Sequence, residues 1–445
     1  MTTKELYTLY LRHPQITTDS RDCPAGSIFF ALKGESFDGN KFAEAALEKG
    51  CAYAVVDDRS MAKDNRYLLV DDVLQTFKDL AREHRRQFHI PVVAITGTNG
   101  KTTTKELVSA VLAEKFRVLS TQGNFNNDVG VPKTLFRLSA EHEIAVIEMG
   151  ASHPGDIKTL AETAEPTCGL ITNVGRAHLQ GFGSFEGVVR TKGELYDYLA
   201  TRQDGLVFLN ADNSYLLSIL PENVWVTPYS TSPENAGDCI CGEVTACAPF
   251  LEFRWHKPLS SPPPGGDDKG GSAVHHVKTR LIGSYNIDNA LAAIAVGINF
   301  GVTPEQICHA LEHYEPANNR SQFVDTGRNH LVVDAYNANP TSMTAALDNF
   351  ERMEADRKMV ILGQMNELGD VSDEEHRRLV NRLRKMNLDA VWLVGENFAD
   401  IKCHYRKFAD VNEVKAALRE EPLSGRTILI KGSNSTRLFQ LPELL

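Results

Sequence analysis

The sequence predicts a soluble α/β protein of three domains, and three observations support that prediction. The 445 residues correspond to roughly three domains at ~150 residues each. Hydrophobic residues make up 42% and charged residues 24% of the chain, which is typical of a globular protein and excludes wholesale disorder. Short apolar strands alternate with helical stretches over most of the length, a pattern typical of parallel sheets built from βαβ units.

The net charge, the apolar runs and the N-terminal residues argue against several further classes of protein. The formal net charge of −11 argues against a surface that mainly binds nucleic acid. No apolar run reaches the ~18 residues of a membrane-spanning helix, and residues 1–15 lack the basic start and apolar core of a signal peptide. Eight cysteines are too dilute for a disulfide framework. We therefore expect a cytoplasmic protein without a membrane span.

The first predicted domain spans residues 1–88. Residues 27–32 are apolar enough for a buried strand, and residues 42–49 have the pattern of a short helix. A charged helical stretch, 71–88, ends shortly before Pro91, and proline disfavours helix in the position that precedes it. The domain boundary is therefore predicted at this point.

The second predicted domain spans residues 89–314 and begins with an apolar strand at 92–96. Residues 250–255 and 273–281 alternate like antiparallel strands, and the Pro- and Gly-rich connector 260–272 between them predicts a mobile loop. This domain is predicted to hold a mostly parallel sheet with an added antiparallel region. Its other predicted strands are 117–120, 144–147, 168–172 and 206–209.

The third predicted domain spans residues 315–445 and repeats the alternation of strands and helices. This pattern predicts a second doubly wound, Rossmann-like α/β domain. Its predicted strands are 331–334, 359–362, 390–394 and 427–430, and its predicted helices are 341–350, 372–385 and 411–419.

A glycine-rich loop after the first strand of the second domain carries the strongest functional signal. Backbone N–H groups at a helix N-terminus attract phosphate oxygens, a lysine adds a full positive charge, and a threonine hydroxyl can ligate Mg²⁺. Ile95 stands where the usual motif has its first glycine, yet a turn that merely needs glycine leaves the lysine unexplained. The predicted phosphate-binding residues are Gly97, Thr98, Asn99, Gly100, Lys101, Thr102 and Thr103.

Three further side chains of the second domain are candidates at the same edge of the sheet. Glu148 ends a predicted strand, where it would either hold a divalent cation or cap the helix that begins near Ser152. His178 follows another strand and is either a structural histidine or a metal ligand. Lys192 lies in the predicted helix 185–199, where a solvated or salt-bridged lysine is the default interpretation.

Polar residues near the predicted strand ends form a second group of candidates. Loops at such an edge often carry function, although asparagine also forms turns and caps helices. An arginine there could neutralise charge that develops during phosphoryl transfer, and an aspartate could accept from ribose hydroxyls. These residues are Asn124, Asn126, Asn127, Asn286, Asn289, Arg320 and Asp334.

Several longer passages resemble those of the Mur ligases, the ATP-dependent amide-forming enzymes of peptidoglycan precursor synthesis. The resemblance covers essentially the whole chain, in the family's order, and is strongest to members that add D-alanyl-D-alanine to UDP-N-acetylmuramoyl-tripeptide. The passages are 123–132 (GNFNNDVGVP), 148–151 (EMGA), 177–184 (AHLQGFGS) and 334–343 (DAYNANPTSM), with further matches at 362–369 (LGQMNELG) and 431–433 (KGS).

This resemblance implies metal and phosphate roles for the candidates. Lys101 and its loop would hold the β- and γ-phosphates of ATP, while Thr102 and Glu148 would bind one Mg²⁺. His178 would bind a second Mg²⁺ together with Lys192, which in this family reacts with CO₂ to form a carbamate. Carbamylation converts the positively charged lysine side chain into one that offers oxygen ligands. The hard cation Mg²⁺ prefers such ligands.

The resemblance also implies substrate contacts, and we expect a monomer that binds no nucleic acid. Two positions depart from the family pattern: Tyr285 stands where relatives usually carry histidine, and Gln364 replaces a commonly acidic residue. The residues implied for the nucleotide are Asn286 and Asn289 at the adenine, with Arg320 and Asp334 closing over it. Those implied for the UDP-muramoyl substrate are Ser20 and Arg21 of a UDP-binding first domain, with Asn126 and Asn127.

Three alternatives stay open from the sequence. A ligase of the same family that adds the third amino acid to UDP-N-acetylmuramoyl-dipeptide is disfavoured by the resemblance alone. Folylpolyglutamate synthetase lacks a UDP-binding first domain, so residues 19–39 argue against it. A P-loop switch or motor needs no domain for a UDP-sugar.

Overall fold

The computed structural model of the protein describes residues 1–34, 36–176, 179–258, 273–316 and 320–445. His178 and the predicted connector 260–272 lie outside these residues, so neither prediction is tested. In the described ranges, no helix is both long and apolar enough to cross a membrane.

The chain divides into two units. The first unit comprises Met1–Ala94, Arg117–Gly150 and Lys158–Thr167, and the second unit comprises Ile95–Phe116, Ala151–Ile157 and Cys168–Leu445. The phosphate loop and the whole C-terminal third of the chain therefore belong to the second unit, whereas Glu148 belongs to the first.

The described residues before Val92 form nine α-helices and strands. They are α1 (Thr3–Arg12), β1 (Ile16–Thr17), β2 (Ile28–Phe30), β3 (Lys33–Gly34), β4 (Phe37–Asp38), α2 (Ala43–Glu48), β5 (Tyr53–Val56), β6 (Tyr67–Leu69) and α3 (Val73–Arg86). Strands β1, β2, β5 and β6 pair in parallel in the order β1-β2-β5-β6, and β3 and β4 form an antiparallel pair.

Helices cover both faces of this four-stranded sheet, because alternate residues of a strand point to opposite faces. Phe30 packs with Leu6 of α1 and Phe77 of α3 on one face. Phe29 packs with Leu47 at the end of α2 on the other face. The predicted strand 27–32 and helix 42–49 are thus present with slightly shorter bounds, whereas helix α1 was not predicted.

The middle of the chain supplies the next elements. They are β7 (Val92–Thr96), α4 (Lys101–Ala113), β8 (Val118–Ser120), α5 (Gly130–Leu135), β9 (Ile144–Glu148), α6 (Asp156–Ala164), β10 (Cys168–Ile171), α7 (Leu179–Phe182), α8 (Phe185–Ala200), β11 (Leu206–Asn210), α9 (Ser214–Ser218), β12 (Trp225–Ser230), β13 (Ile240–Cys247), β14 (Phe250–His256), β15 (His275–Ile282), α10 (Asn286–Asn299) and α11 (Pro304–His313).

Strand β7 contributes residues to each unit. In the first unit the strand order is β7-β9-β8, and in the second unit it is β15-β14-β13-β12-β11-β10-β7. Strands β10 to β13 pair in parallel, whereas β13, β14 and β15 pair antiparallel. The predicted antiparallel region is confirmed, and it also contains β13, which was not predicted and is buried only over its first three residues.

The C-terminal elements form a sheet of their own in the second unit. They are β16 (Gln322–Asp325), β17 (His330–Asp334), α12 (Pro340–Arg352), β18 (Lys358–Gly363), α13 (Ser372–Leu383), β19 (Ala390–Val394), β20 (Arg406–Phe408), α14 (Val411–Glu420) and β21 (Thr427–Lys431). The order is β16-β17-β21-β18-β19-β20, with only β16 antiparallel to its neighbour. Helices α12 and α13 pack on one face and α14 on the other, which confirms the doubly wound prediction.

Buried His376 of α13 fixes the loop that follows β18. The N–H of Met365 donates to its Nε2 at 3.0 Å, and its Nδ1 lies 2.7 Å from the carbonyl of Ser372. Nδ1 therefore carries the proton of a neutral ring. Burial lowers the pKa of His376, and the bond to Ser372 only partly opposes this effect.

We expect His376 to make stability depend on pH. A histidine near its ordinary pKa of about 6.5 in the unfolded chain binds protons more readily than the folded one, so the contribution is present above that pH and is lost as pH falls through it. The thermal midpoint of His376→Gln should therefore lie below that of the wild type at pH 7.5, and the gap should narrow at pH 5.5. His404→Gln, at an exposed histidine, is the control, and an equal gap at both pH values would refute the assignment.

Candidate active site

The phosphate loop leaves β7 through two glycines with left-handed backbone. Gly97 has φ +142° and Gly100 has φ +77°, conformations that side chains with a Cβ rarely adopt. A methyl group at Gly97 would lie 2.0 Å from Oγ1 of Thr172, and one at Gly100 would lie 2.7 Å from Oδ1 of Asn289. Both positions thus require glycine for their conformation and for their space.

The segment after β10 holds the loop in place. The N–H of Thr98 donates to the carbonyl of Asn173 at 2.9 Å, and the N–H of Asn99 donates to Oδ1 of Asn173 at 3.0 Å. The carbonyl of Asn99 accepts from Oγ1 of Thr172 at 2.6 Å and from Nδ2 of Asn173 at 3.1 Å. Asn173 was not among the predicted site residues, and its contacts with the loop depend on the tertiary structure.

Lys101 and Thr102 open helix α4 directly after the loop. The Nζ atom of Lys101 lies 2.8 Å from the carbonyl of Gly97 and 3.0 Å from that of Thr98, so the charge is held at the loop. Thr102 is buried at the first turn of the helix. A cation and a hydroxyl beside backbone N–H groups at a helix N-terminus suit a polyphosphate.

Asn286 and Asn289 join helix α10 to helix α4. Oδ1 of Asn289 accepts from Oγ1 of Thr104 at 2.9 Å, and its Nδ2 donates to Oδ1 of Asn286 at 2.7 Å. Asn286 Nδ2 in turn donates to the carbonyl of Ile282 at 2.8 Å. Asn286 therefore does not act as the N-cap of α10, a position that Tyr285 occupies.

Lys192 is buried in helix α8, contrary to the default of a solvated or salt-bridged lysine. Its side chain is 2% exposed, and among the described residues no carboxylate lies within ion-pair distance of it. Burial lowers the pKa of Lys192 well below its ordinary value, and the charge of Lys101 lowers it further, whereas Asp156 and Glu194 oppose the shift. A neutral amine is the form that can react with CO₂.

Glu148 lies in the first unit with its carboxylate buried. Nδ2 of Asn126 donates to its Oε1 at 2.7 Å, and its backbone N–H donates to Oγ1 of Thr121 at 3.0 Å. Asn126 therefore orients a carboxylate. The alternative interpretation of Glu148 as a surface carboxylate is wrong, because the residue is only 1% exposed.

Asp156 is the first residue of helix α6, and its carboxylate closes the turn that precedes the helix. Its Oδ2 accepts from the N–H groups of Ser152 and His153, each at 2.8 Å. These three residues lie in the second unit.

The other residues predicted to bind substrate also lie in the first unit. Arg21 is largely exposed and binds Asp19 through its Nε and Nη2 atoms, while Ser20 accepts a bond from Lys49 at its carbonyl. Oδ1 of Asn127 accepts from the N–H of Gly130 at 2.8 Å, as a turn former does. Their contacts with a substrate stay a prediction.

Arg320 and Asp334 have different surroundings in the second unit. The Arg320 guanidinium stacks 3.8 Å from the centre of the Tyr336 ring, and its buried Nε meets no hydrogen-bond acceptor among the described residues. Asp334 accepts a 2.5 Å bond from buried Lys431, whose Nζ also donates to the carbonyl of Asn337 at 3.2 Å. The sequence had offered Lys431 only as part of a matching passage.

The two residues that depart from the family pattern both lie at the end of a regular element: Tyr285 directly precedes α10, and Gln364 directly follows β18. Tyr285 is half-buried, and its hydroxyl forms a 2.8 Å hydrogen bond with Oγ of Ser321, next to Arg320. Gln364 follows β18, where its N–H donates to the carbonyl of Val394 at 2.9 Å. Nε2 of Gln364 donates to Oδ1 of Asn366 at 3.2 Å, so the side chains of both residues are hydrogen-bonded.

Three family models match consecutive parts of the chain. The model described as Mur ligase family, catalytic domain, matches residues 14–94. Residues 95–297 match the Mur ligase middle domain, and residues 319–434 match the Mur ligase, glutamate ligase domain.

Whole-length relatives give the same result. UDP-N-acetylmuramoyl-tripeptide–D-alanyl-D-alanine ligase of Escherichia coli (strain K12) is 35% identical over 448 residues, which cover 97% of this chain and 93% of the relative. The structure of MurF from Acinetobacter baumannii superposes with a TM-score of 0.84 at 31% identity, covering 96% and 92% of the two chains. That of the MurF ligase from Thermotoga maritima in complex with ADP gives 0.83 at 26% identity, covering 97% and 96%.

Proposed function

The chain belongs to the Mur ligase family, and from that premise we propose that it joins D-alanyl-D-alanine to UDP-N-acetylmuramoyl-tripeptide in an ATP-dependent reaction that yields ADP. The product is the pentapeptide precursor of peptidoglycan. The observation that carries the chemistry is the clamped phosphate loop, with Lys101 close enough to lower the pKa of buried Lys192. The names of the relatives support the choice of substrates.

Nucleotide binding fits the second unit. A relative was solved with ADP, and the loop offers backbone N–H groups, a lysine and a helix N-terminus to phosphates. The buried Nε of Arg320, which meets no acceptor among the described residues, is suited to an anionic ligand. Asp334 would accept from the ribose hydroxyls, with Lys431 holding its carboxylate in place.

Magnesium is part of the proposal, and the available donors fit it. Thr102 supplies a hydroxyl, Glu148 a buried carboxylate held by Asn126, and a carbamate on Lys192 would supply two more oxygens, the ligand type that Mg²⁺ prefers. His178, which lies outside the described residues, is proposed as a further ligand. When bound, Mg²⁺ would neutralise charge on the transferring phosphoryl group.

We infer a two-step reaction. A carboxylate oxygen of the tripeptide attacks the γ-phosphorus of ATP, the bond to the bridging oxygen breaks, and ADP leaves. Lys101 stabilises the charge that develops on the phosphoryl oxygens, and Arg320 adds a second positive group. The amine of D-alanyl-D-alanine then attacks the acyl carbon of the acyl phosphate, and phosphate leaves as the amide forms.

The remaining parts of the proposal concern the first domain and the state of the protein. Ser20, Arg21 and Asn127 would contact the UDP-muramoyl substrate. We also propose that the chain forms three domains, at residues 1–88, 89–314 and 315–445. We propose that the protein acts as a monomer in the cytoplasm, where nucleotide-activated precursors are made.

A product assay tests this function against its nearest alternative. One reaction contains ATP, Mg²⁺, UDP-N-acetylmuramoyl-tripeptide and D-alanyl-D-alanine, and the other contains UDP-N-acetylmuramoyl-dipeptide and a free diamino acid. Mass spectrometry should find the pentapeptide product in the first reaction only. Product in the second reaction alone would overturn the choice, and ATP turnover that needs neither a carboxylate nor an amine substrate would indicate a switch or motor.

A further inference from the structure

Asn339 connects the C-terminal sheet's first helix to the phosphate loop. Its Nδ2 donates to Oδ1 of Asn99 at 2.8 Å, while its Oδ1 caps helix α12 by accepting from the N–H of Ser342 at 2.9 Å. Asn339 is 5% exposed, whereas its partners Asn99 and Ser342 are half-buried. None of the functional roles described above uses this residue.

A second contact lies beside this bond. A methyl group on Gly175 would lie 3.2 Å from Oγ1 of Thr341 and 3.4 Å from Cγ2 of Thr98. The first turn of α12 and the phosphate loop therefore both approach the backbone of Gly175. Because Oγ1 of Thr98 also accepts from the N–H of Gly175 at 2.9 Å, the three segments are packed together.

Residues 334–339 connect strand β17 to helix α12, and hydrogen bonds hold both ends of this segment. Lys431 binds the carboxylate of Asp334 and the carbonyl of Asn337, which fixes the start of the segment to strand β21. Asn339 fixes its end to Asn99, whose backbone is clamped by Asn173. A displacement of the phosphate loop would thus be transmitted directly to the start of α12.

From these contacts we propose that Asn339 is a positioning residue that keeps α12 seated on the phosphate loop until the amine has attacked. The inference rests on the proposed ligase activity. Without this contact, water reaches the acyl phosphate, attacks its acyl carbon and expels phosphate. The original carboxylate is then restored, and ATP is consumed without forming an amide.

The variant Asn339→Ser tests this role. Serine still caps a helix but is too short to reach Asn99, so helix α12 is preserved while the contact is lost. We expect amide formation to slow about tenfold, the effect of one buried hydrogen bond, and the ratio of phosphate released to amide formed to rise from one to about two or more. The KM for ATP should change less than kcat.

Ser342→Ala is a control for this test, and Asn99→Ala is a second test of the same contact. Ser342→Ala removes the 3.1 Å bond from the N–H of Asn339 to Oγ of Ser342 without touching Asn99, and its ratio should stay at one. Asn99→Ala removes the same inter-segment bond from the other side and should raise the ratio, even if Asn339→Ser folds poorly. Adding Asn339→Ser to Asn99→Ala should cause no further rise.

The outcomes distinguish the proposed ligase activity from the positioning role of Asn339. If the wild type forms no amide, the proposed function fails and this inference with it. If the wild type forms amide and both Asn339→Ser and Asn99→Ala keep a ratio of one, only the positioning role is overturned.

Discussion

Replacing Lys101 by methionine is expected to lower kcat/KM for amide formation about a thousandfold. The lysine charge is held at the loop by the carbonyls of Gly97 and Thr98, where it would face the phosphoryl oxygens. Methionine keeps the length of the side chain and removes the charge. Loss of a preorganised group that stabilises transition-state charge costs about two to three orders of magnitude.

The measurement for Lys101→Met is phosphate release coupled to product analysis, with the thermal midpoint as a check of folding. Lys278→Met is a matched control, because it removes one lysine from β15 whose side chain is 75% exposed. The control should keep wild-type activity. Retention of more than a few per cent of ligation activity by Lys101→Met would contradict the phosphate-loop assignment.

Replacing Lys192 by alanine is expected to lower activity at least a hundredfold, and added acetate or formate should restore part of it. The buried amine has a lowered pKa, which favours the neutral form that can react with CO₂. A small carboxylate can occupy the space of the missing carbamate and supply similar oxygen ligands to Mg²⁺. Wild-type activity should also fall in buffers depleted of CO₂ and recover with bicarbonate.

Lys192→Arg separates the carbamate from a simple charge. Arginine keeps a positive charge but does not form a stable carbamate, so it should be as inactive as the alanine variant and should not respond to bicarbonate. Full activity of Lys192→Arg would mean that the site needs a cation. An alanine variant that acetate does not restore, together with a wild type indifferent to CO₂, would refute the carbamate.

Much of the fold was predictable because its signals are local. The strand at Val92–Thr96 is an unbroken apolar run followed by glycines, and the structure places it with the same bounds. The alternation in Phe250–His256 marked antiparallel pairing, which is confirmed. Helix α1 and strand β13 escaped prediction, because half of the residues of the first are polar and the second is buried only over its first three residues.

The burial of Lys192 could have been predicted from the sequence. Val188, Leu195, Tyr196 and Leu199 occupy the buried face of α8, and Lys192 lies four residues from both Val188 and Tyr196, on the same face. Residue type alone favours a solvated lysine, whereas the position of Lys192 on this helix face favours a buried one. A lysine within an apolar stripe is a better indicator of function than a lysine at an arbitrary helix position.

The contact between Asn339 and Asn99 could not have been predicted in this way. The two residues are 240 positions apart, and each stands in a passage where asparagine has a sufficient local reason to occur. Asn339 caps a helix and Asn99 lies in a glycine turn. Only the tertiary arrangement shows that the two amides meet.

The tight fit around the two loop glycines also bears on inhibitor design. A methyl group at either position would collide with Thr172 or Asn289, and both backbones are left-handed. A compound seated against Gly97 and Gly100 would therefore contact atoms that the chain cannot alter by one residue change without damaging its own loop. Resistance by point mutation at these two positions should be correspondingly rare.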